Sequence, residues 1–223
     1  NTAGATVTGV ALGIATVTLT SDSGFSATAT ITVRGPTSLT WIGAIDKYWK
    51  NAGNWEPSSV PANGDRLVFP VGSQTSNNVE FSGTTGIESL TFMSGGITID
   101  GPNVIPIRSL ITNSESSPTL KAPIRLIGNV SIHTDCCGLR IESPIDLNSF
   151  NLNIDGYNTE VIGVIAGSGN VTLAQNTMSL RANNTYTGTT TVSTYAGIFG
   201  SQAQSDVTVT QGGSLFGGGS LGN

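Results

Sequence analysis

Short apolar pairs recur along the C-terminal two thirds of the chain, each with one residue between its two apolar members. In chain order the pairs are Ile97 and Ile99, Ile105 and Ile107, Ile124 and Leu126, Val130 and Ile132, Leu139 and Ile141, Ile145 and Leu147, Leu152 and Ile154, Val171 and Leu173, Met178 and Leu180, and Val207 and Val209, with Phe150 and Leu215 as further apolar positions. Side chains two positions apart share one face of a strand. Each pair therefore predicts a short strand with one buried face.

Strands this short favour a coiled stack over a β-sandwich, whose strands are longer. In a β-solenoid each turn of the coil, or rung, supplies short strands, and stacking neighbouring rungs buries their inner faces. We therefore predict an all-β protein with a right-handed parallel β-helix over residues 72–223. Breaks at Ser94-Gly95-Gly96, Asn183-Asn184 and Gly212-Gly213 are expected to turn the corners, where a positive φ is needed.

The N-terminal segment has a different pattern, in which single apolar residues alternate with Thr and Ser. The alternating positions are Ala15, Val17 and Leu19, and then Ala27, Ala29, Ile31 and Val33. This alternation predicts two half-buried antiparallel strands, joined by a turn over residues 21–24. Gly35 and Pro36 interrupt the pattern, so we place a domain boundary after residue 35.

Residues 36–71 contain all three tryptophans of the chain and form a predicted capping segment. The expected aromatic capping cluster consists of Trp41, Tyr48, Trp49, Trp55 and Phe69. A chain with few bulky side chains would use such a cluster to close one end of its core. The alternative interpretation is an exposed platform on which sugar rings stack.

The composition narrows the classes of function. Charged residues make up 10 % of the chain, against about 25 % in typical soluble domains, and the net charge is −5. Few basic residues mean little attraction to phosphate backbones or anionic lipid, so nucleic-acid partners are not expected. The longest apolar stretch, residues 10–17, is far shorter than the roughly 18 residues of a membrane span, so no membrane insertion by this segment is expected.

Two motifs resemble segments of bacterial autotransporter passenger proteins. Residues 161–223, above all the run Asn184-Thr185-Tyr186-Thr187-Gly188 with Val192, resemble the autotransporter-associated β-strand repeat. The match departs from the pattern at residues 193–195, where Ser-Thr-Tyr stands in place of the usual glycine. The Trp-rich segment, with Trp41, Asn54-Trp55 and Pro61-x-x-Gly64-Asp65, is similar to the segment that commonly precedes such repeats.

Residues 5–33 are similar to the closing half of a bacterial immunoglobulin-like domain. Together these resemblances imply a fibrous, exported protein on the bacterial surface, and they imply no chemistry. They favour a non-enzymatic stalk or adhesin that binds a glycan or a host protein and contacts other parts of one long polypeptide. The runner-up is a filament subunit that self-associates through open solenoid ends. We expect both ends of the chain to be cut from a longer protein.

An enzyme would need a constellation of reactive groups, and the candidates are sparse. A polysaccharide-degrading β-helix is the second alternative function, and glycoside cleavage requires two carboxyl groups about 5–10 Å apart. The residues considered for such chemistry are His133, Asp135, Arg140, Glu142, Asp146 and Asp155. Scattered surface charges explain them equally well, so we predict no catalytic residues and no cofactor. Two cysteines and one histidine cannot complete a tetrahedral zinc site, and no Asp-rich calcium loop is present, so no metal is predicted either.

The adjacent Cys136 and Cys137 are the one unusual feature. On a strand their side chains would point to opposite faces, whereas the following Gly138 favours a turn. A pair of free thiols, a vicinal disulfide and an intermolecular disulfide all remain open.

Overall fold

The chain folds into two compact units, residues 1–36 and residues 37–223. The computed structural model describes residues 11–77, 86–93, 96–114, 117–174 and 178–222. The prediction of an all-β protein is confirmed, since the described residues form strands and a single 3-10 turn at Ala52–Asn54.

The first unit is the predicted hairpin. Strands β1 (Gly13–Thr20) and β2 (Ser26–Val33) pair in antiparallel register. The turn is closed by hydrogen bonds from the backbone N–H of Gly24 to the carbonyl of Ser21 and from that of Ser21 to the carbonyl of Phe25, both 2.8 Å. The expected half-burial is wrong for most of these strands, because Leu19 is 66 % exposed and Phe25 in the turn is 81 % exposed.

The second unit is the predicted parallel β-solenoid, which is also confirmed. Its strands are β3 (Ser38–Trp41), β4 (Trp55–Glu56), β5 (Arg66–Phe69), β6 (Ser76–Asn77), β7 (Ile87–Phe92), β8 (Thr98–Asp100), β9 (Ile105–Asn113), β10 (Thr119–Leu120), β11 (Ile124–Leu126), β12 (Val130–Thr134), β13 (Arg140–Ile141), β14 (Ile145–Asp146), β15 (Leu152–Gly156), β16 (Glu160–Val161), β17 (Ile165–Ala166), β18 (Val171–Leu173), β19 (Met178–Leu180), β20 (Thr190–Val192), β21 (Tyr195–Ile198), β22 (Val207–Val209) and β23 (Ser214–Phe216).

These strands stack in three parallel ladders. The long sheet has the order β22-β20-β18-β15-β12-β9-β7-β5-β3-β4, and the second sheet has the order β23-β21-β19-β16-β13-β10-β8-β6. The short ladder has the order β9-β11-β14-β17. Strand β9 belongs to two ladders because residues 105–107 pair with β11 while residues 110–113 pair with β12. Among the described strands of this unit, the exception to parallel pairing is β4, which lies antiparallel to β3 at one end of the long sheet.

The apolar pairs point inward and form columns that run along the axis of the solenoid. Strands in register are about 4.8 Å apart, so each column is a continuous stack of Leu, Ile and Val side chains. The long-sheet column, in which every member is at most 1 % exposed, consists of Leu39, Leu67, Leu90, Ile111, Ile132, Ile154, Leu173 and Val192. The second-sheet column consists of Ile99, Leu120, Ile141, Val161, Leu180 and Ile198. Each such side chain contributes about 1.5–3 kcal/mol by leaving water.

One predicted pair is not buried. Val207 is partly buried and Val209 is 44 % exposed. Both lie on β22, which is an edge strand of the long sheet and therefore has a rung on one side only to cover them.

A column of asparagine side chains joins successive rungs at one corner. The Oδ1 atom of Asn129 accepts the backbone N–H of Asn151, 22 residues later, at 3.0 Å. Asn151 accepts the N–H of Asn170, 19 residues later, at 3.0 Å, and Asn170 accepts that of Thr189 at 2.9 Å. Each asparagine thus satisfies a corner N–H that no strand pairing reaches.

The predicted corner residues behave in two ways. Gly96 and Gly212 have φ values of +82° and +90°, as expected of glycines at turns. Asn183 and Asn184, also predicted to supply positive φ, are instead hydrogen-bond acceptors: their Oδ1 atoms bind the backbone N–H of Ser201 at 2.9 Å and of Ile165 at 2.7 Å. Ser94 and Gly95 lie outside the described residues.

Candidate functional site

The tryptophans of residues 36–71 form one buried cluster at the β3–β4 end of the solenoid. Trp41, Trp49 and Trp55 are 1, 0 and 0 % exposed. The ring centroid of Trp55 lies 4.9 Å from that of Trp41, 5.7 Å from that of Trp49 and 6.0 Å from that of Phe69. Phe69 stacks on Phe92 of the neighbouring strand at 5.3 Å. The rings thus pack as a plug, and the faces needed for sugar stacking are covered.

The membership of this cluster differs from the expected set at two positions. Tyr48 is half-buried, and the ammonium groups of Lys47 and Lys50 each lie 5.7 Å from its ring centroid. Phe92 joins the cluster from β7, outside the Trp-rich segment, because parallel pairing places it beside Phe69. Sequence reasoning missed Phe92 because the register of β5 against β7 is not visible in the chain.

The burial of the three indoles predicts a specific fluorescence result. We expect blue-shifted tryptophan emission that acrylamide barely quenches, because the quencher cannot reach rings without exposed surface. The control is the same protein in denaturant, where emission shifts to the red and quenching becomes efficient. Strong quenching in the native state would show that the cluster opens to solvent.

The loop that carries the cluster is organised by Asn54 and Asp46. Asn54 is fully buried, and its Oδ1 accepts the N–H groups of Ile45 and Asp46 at 2.8 and 3.0 Å. Its Nδ2 donates to Oδ1 of Asp46 at 2.6 Å. The backbone N–H of Tyr48, with these side-chain hydrogen bonds, holds the pKa of Asp46 below its ordinary value. The Asn54-Trp55 motif is therefore structural, because the asparagine fixes the loop from which the indole enters the core.

The Asn184–Gly188 motif also occupies a structural position. Asn184 accepts a backbone hydrogen bond from the preceding rung. Tyr186 is 1 % exposed, its hydroxyl is hydrogen-bonded to that of Thr190, and burial raises the pKa of this phenol. A Cβ at Gly188 would meet the backbone oxygen of Gly169 at 2.1 Å. The motif thus closes a corner against the rung below and turns its one aromatic ring inward.

His133 lies on the outer face of the long sheet, between two carboxylates. Its Nδ1 is hydrogen-bonded to Asp155, its ladder partner on β15, and its Nε2 lies 2.9 Å from Oδ1 of Asp135. Asn153 donates to the second oxygen of Asp155 at 3.1 Å. The hydrogen bond to Asp155, with that to Asp135, raises the pKa of His133 above its ordinary value. The ring thus bridges two neighbouring rungs.

This arrangement predicts a pH dependence that one NMR signal can follow, because the chain has a single histidine. A raised pKa means that the folded state binds the proton more tightly. The resulting stabilisation is complete below the unfolded value of about 6.5 and is lost as the pH rises through the folded pKa. We expect the imidazole titration midpoint above 6.5, and a lower midpoint in Asp155→Asn. An unchanged midpoint in that variant would contradict the arrangement.

A row of charged side chains runs along the outer face of the second sheet and is here called the charged row. It consists of Lys121, Arg140, Glu142, Glu160 and Arg181. Lys121 Nζ lies 3.8 Å from Oε2 of Glu142, and Arg140 Nε lies 2.7 Å from Oε1 of Glu142. Arg140 and Arg181 both form ion pairs with Glu160. The hydrogen bond from Arg140 lowers the pKa of Glu142.

The carboxyl groups considered for catalysis all lie beside basic side chains in the structure. Glu142 lies in the charged row, Asp135 and Asp155 flank His133, and Asp146 pairs with Arg125 at 2.8 Å. The contacts Arg125–Asp146 and His133–Asp155 link side chains on adjacent rungs, whereas Arg140–Glu142 and His133–Asp135 lie within one rung. The arrangement is that of surface ion pairs, which individually contribute little to stability.

Cys136 and Cys137 lie in a bend between β12 and β13, which agrees with a turn ending at Gly138, where φ is +88°. The two sulfur atoms are 2.6 Å apart, so they share one side of the chain. The hydroxyl of Ser117 donates to the carbonyl of Cys137 at 2.6 Å. The three alternatives of two thiols, a vicinal disulfide and an intermolecular disulfide all stay open for this pair.

Sequence reasoning missed an aromatic surface on the last rungs. Tyr195 and Phe216 stack with ring centroids 4.5 Å apart, and Phe199 lies edge-on to Phe216 at 5.8 Å. The guanidinium of Arg181 is 4.9 Å from the ring centroid of Phe199. A Cβ on Gly197 would lie 2.8 Å from both phenylalanine rings, so the absence of a side chain there leaves room for them.

Phe199 and Phe216 line a shallow groove of about 320 Å³, here called the aromatic groove. Its lining residues are Asn158, Thr159, Glu160, Met178, Ser179, Arg181, Phe199 and Phe216. The rest of the lining is mostly polar and includes the Glu160–Arg181 ion pair of the charged row. The apolar-pair pattern could not reveal it, because outward-facing aromatics stand beside the inward positions that define the pattern.

Comparisons with protein-family models, with curated proteins and with solved structures found no match. Within the described residues, no group of three or more His, Cys, Asp or Glu side chains is arranged to hold a metal ion. The same part of the chain has no helix that is long and apolar enough to cross a bilayer.

Proposed function

We propose that this chain is a non-enzymatic stalk or adhesin module of a bacterial surface protein, located outside the cell. The observation that carries the proposal is that its polar side chains connect successive rungs of the solenoid. The asparagine column, the charged row and the His133 cluster all join one rung to the next. Polar groups that join successive rungs stabilise a rod, and each of the carboxylates considered for catalysis is hydrogen-bonded to or paired with a basic side chain.

The resemblance to autotransporter passengers supports this proposal. Its most specific motif, residues 184–188, closes a corner of the solenoid, and the Trp-rich segment fills the core at the β3–β4 end. Both are the roles expected of segments that build a fibrous passenger. Residues 5–33 resemble part of an immunoglobulin-like domain. The apolar side chains of a two-stranded hairpin require further strands to cover them, so other parts of the same long polypeptide are the proposed partner.

A second candidate function is a filament subunit, and the edge strands favour it. Strands β22 and β23 are the last members of their sheets and have one ladder neighbour each. Unpaired strand edges are templates for pairing with another chain. Leu221, near this edge, is 47 % exposed.

Light scattering across a concentration series separates the two candidates. A stalk or adhesin module is expected to keep a monomer mass at every concentration, whereas a filament subunit forms ordered fibres as the concentration rises. Incubation with acidic and neutral polysaccharides tests the non-enzymatic character. New reducing ends would refute it, and an unchanged number of reducing ends is the expected result.

A further inference from the structure

We propose that the aromatic groove binds a pyranose ring that carries a carboxylate. This inference rests on the proposed adhesin function and names the ligand class of one site. The lining of the groove combines aromatic rings with charged groups, and ligand sites are typically apolar surfaces with a few placed polar groups. A sugar ring has the matching form, with apolar C–H faces and hydroxyl groups around its edge.

Two phenylalanines supply the aromatic part of the lining. Phe199, which is 41 % exposed, and Phe216 line the groove. Tyr195, which is 50 % exposed, stacks on one face of Phe216 with the ring planes at 19°, so it fixes the orientation of the Phe216 ring. Gly197 leaves room for both phenylalanine rings, since a Cβ at that position would lie 2.8 Å from each of them.

The cation in the lining of the groove selects an acidic sugar. Of the charged row only Glu160 and Arg181 line the groove, and Glu160 is also paired with Arg140, so its negative charge is shared between two guanidinium groups. Arg181 binds Glu160 through Nε, and its two Nη groups supply further N–H donors at the edge of the groove. A guanidinium fork is the donor geometry that best fits a carboxylate.

The test uses the whole chain with an oligosaccharide of galacturonic acid and with its carboxyl-reduced, neutral counterpart. Saturation-transfer NMR reports whether sugar ring protons contact aromatic protons, and calorimetry gives the affinities. We expect the wild-type protein to bind the acidic form about tenfold more tightly than the neutral form. The Phe216→Ala variant is expected to weaken binding about tenfold, and Phe25→Ala, which removes an exposed ring of the hairpin unit, is expected to leave it unchanged.

The Arg181→Gln variant keeps the assignment testable even if Phe216→Ala misfolds, because Arg181 lies outside the core. It is expected to abolish the preference for the acidic sugar, while the matched surface variant Arg108→Gln retains it. Absence of binding, equal binding of both sugars, or wild-type affinity in Phe216→Ala overturns the groove assignment and leaves the adhesin function standing. Hydrolysis of the sugar, in contrast, refutes the non-enzymatic function itself.

Discussion

Replacing Trp55 with alanine is expected to lower the free energy of unfolding by about 3–5 kcal/mol, as in other large-to-small core substitutions of aromatic residues. Trp55 is fully buried and contacts the rings of Trp41, Trp49 and Phe69. Its indole N–H also donates to the carbonyl of Trp49 at 3.1 Å. Removal of the ring leaves a cavity at the centre of the cluster and an acceptor without its donor.

Urea denaturation followed by far-ultraviolet circular dichroism measures this effect. The matched control is Tyr157→Ala, which removes a ring that is 46 % exposed and is expected to change stability by less than about 1 kcal/mol. If the two variants unfold at the same urea concentration, the tryptophan cluster does not anchor the end of the solenoid.

Replacing Gly163 with alanine is expected to lower the melting temperature by roughly 6–12 °C, which corresponds to about 3 kcal/mol at this chain length. An added Cβ would lie 1.7 Å from the backbone oxygen of Ser143 and 2.9 Å from the backbone nitrogen of Pro144. Both atoms belong to the backbone of the preceding rung, so no side-chain rotation can relieve the overlap. The two rungs must move apart at this corner.

Gly218→Ala provides the matched control. No atom lies within 4 Å of the position that its Cβ would occupy. The same chemical change is therefore expected to shift the melting temperature by less than about 2 °C. Equal shifts for the two variants, measured by differential scanning calorimetry, would mean that close packing of rungs at the Gly163 corner does not limit stability.

The alternation of apolar positions predicted the fold because a solenoid buries every second residue of each short strand. Ile132, Ile154 and Leu173 lie inward as the pattern requires. The same logic failed for β1 and β2, where alternation correctly identified the strands but not their burial. Alternation of apolar and polar residues indicates which side chains share one face of a strand. It does not indicate whether another layer of the protein covers that face.

The candidate sites were less predictable because they depend on contacts between rungs. His133 and Asp155 are 22 residues apart, and Arg140 and Glu160 are 20 apart, so their meeting requires the register of the stack. That register varies from rung to rung, as the 22- and 19-residue steps of the asparagine column show. The register therefore cannot be read from a single amino-acid sequence whose repeats differ in length.

The direction of the ladder hydrogen bonds determines how the solenoid responds to tension. These bonds run along its axis, so a force that pulls the two ends apart acts on all the hydrogen bonds between two neighbouring rungs at the same time. Successive rung interfaces carry this force in series. In the long sheet, β12 and β15 are joined over five residue pairs, whereas β15 and β18, β18 and β20, and β20 and β22 are each joined over three. Under force the interfaces that follow β15 therefore yield before the β12–β15 interface, and the rod lengthens by releasing one rung at a time.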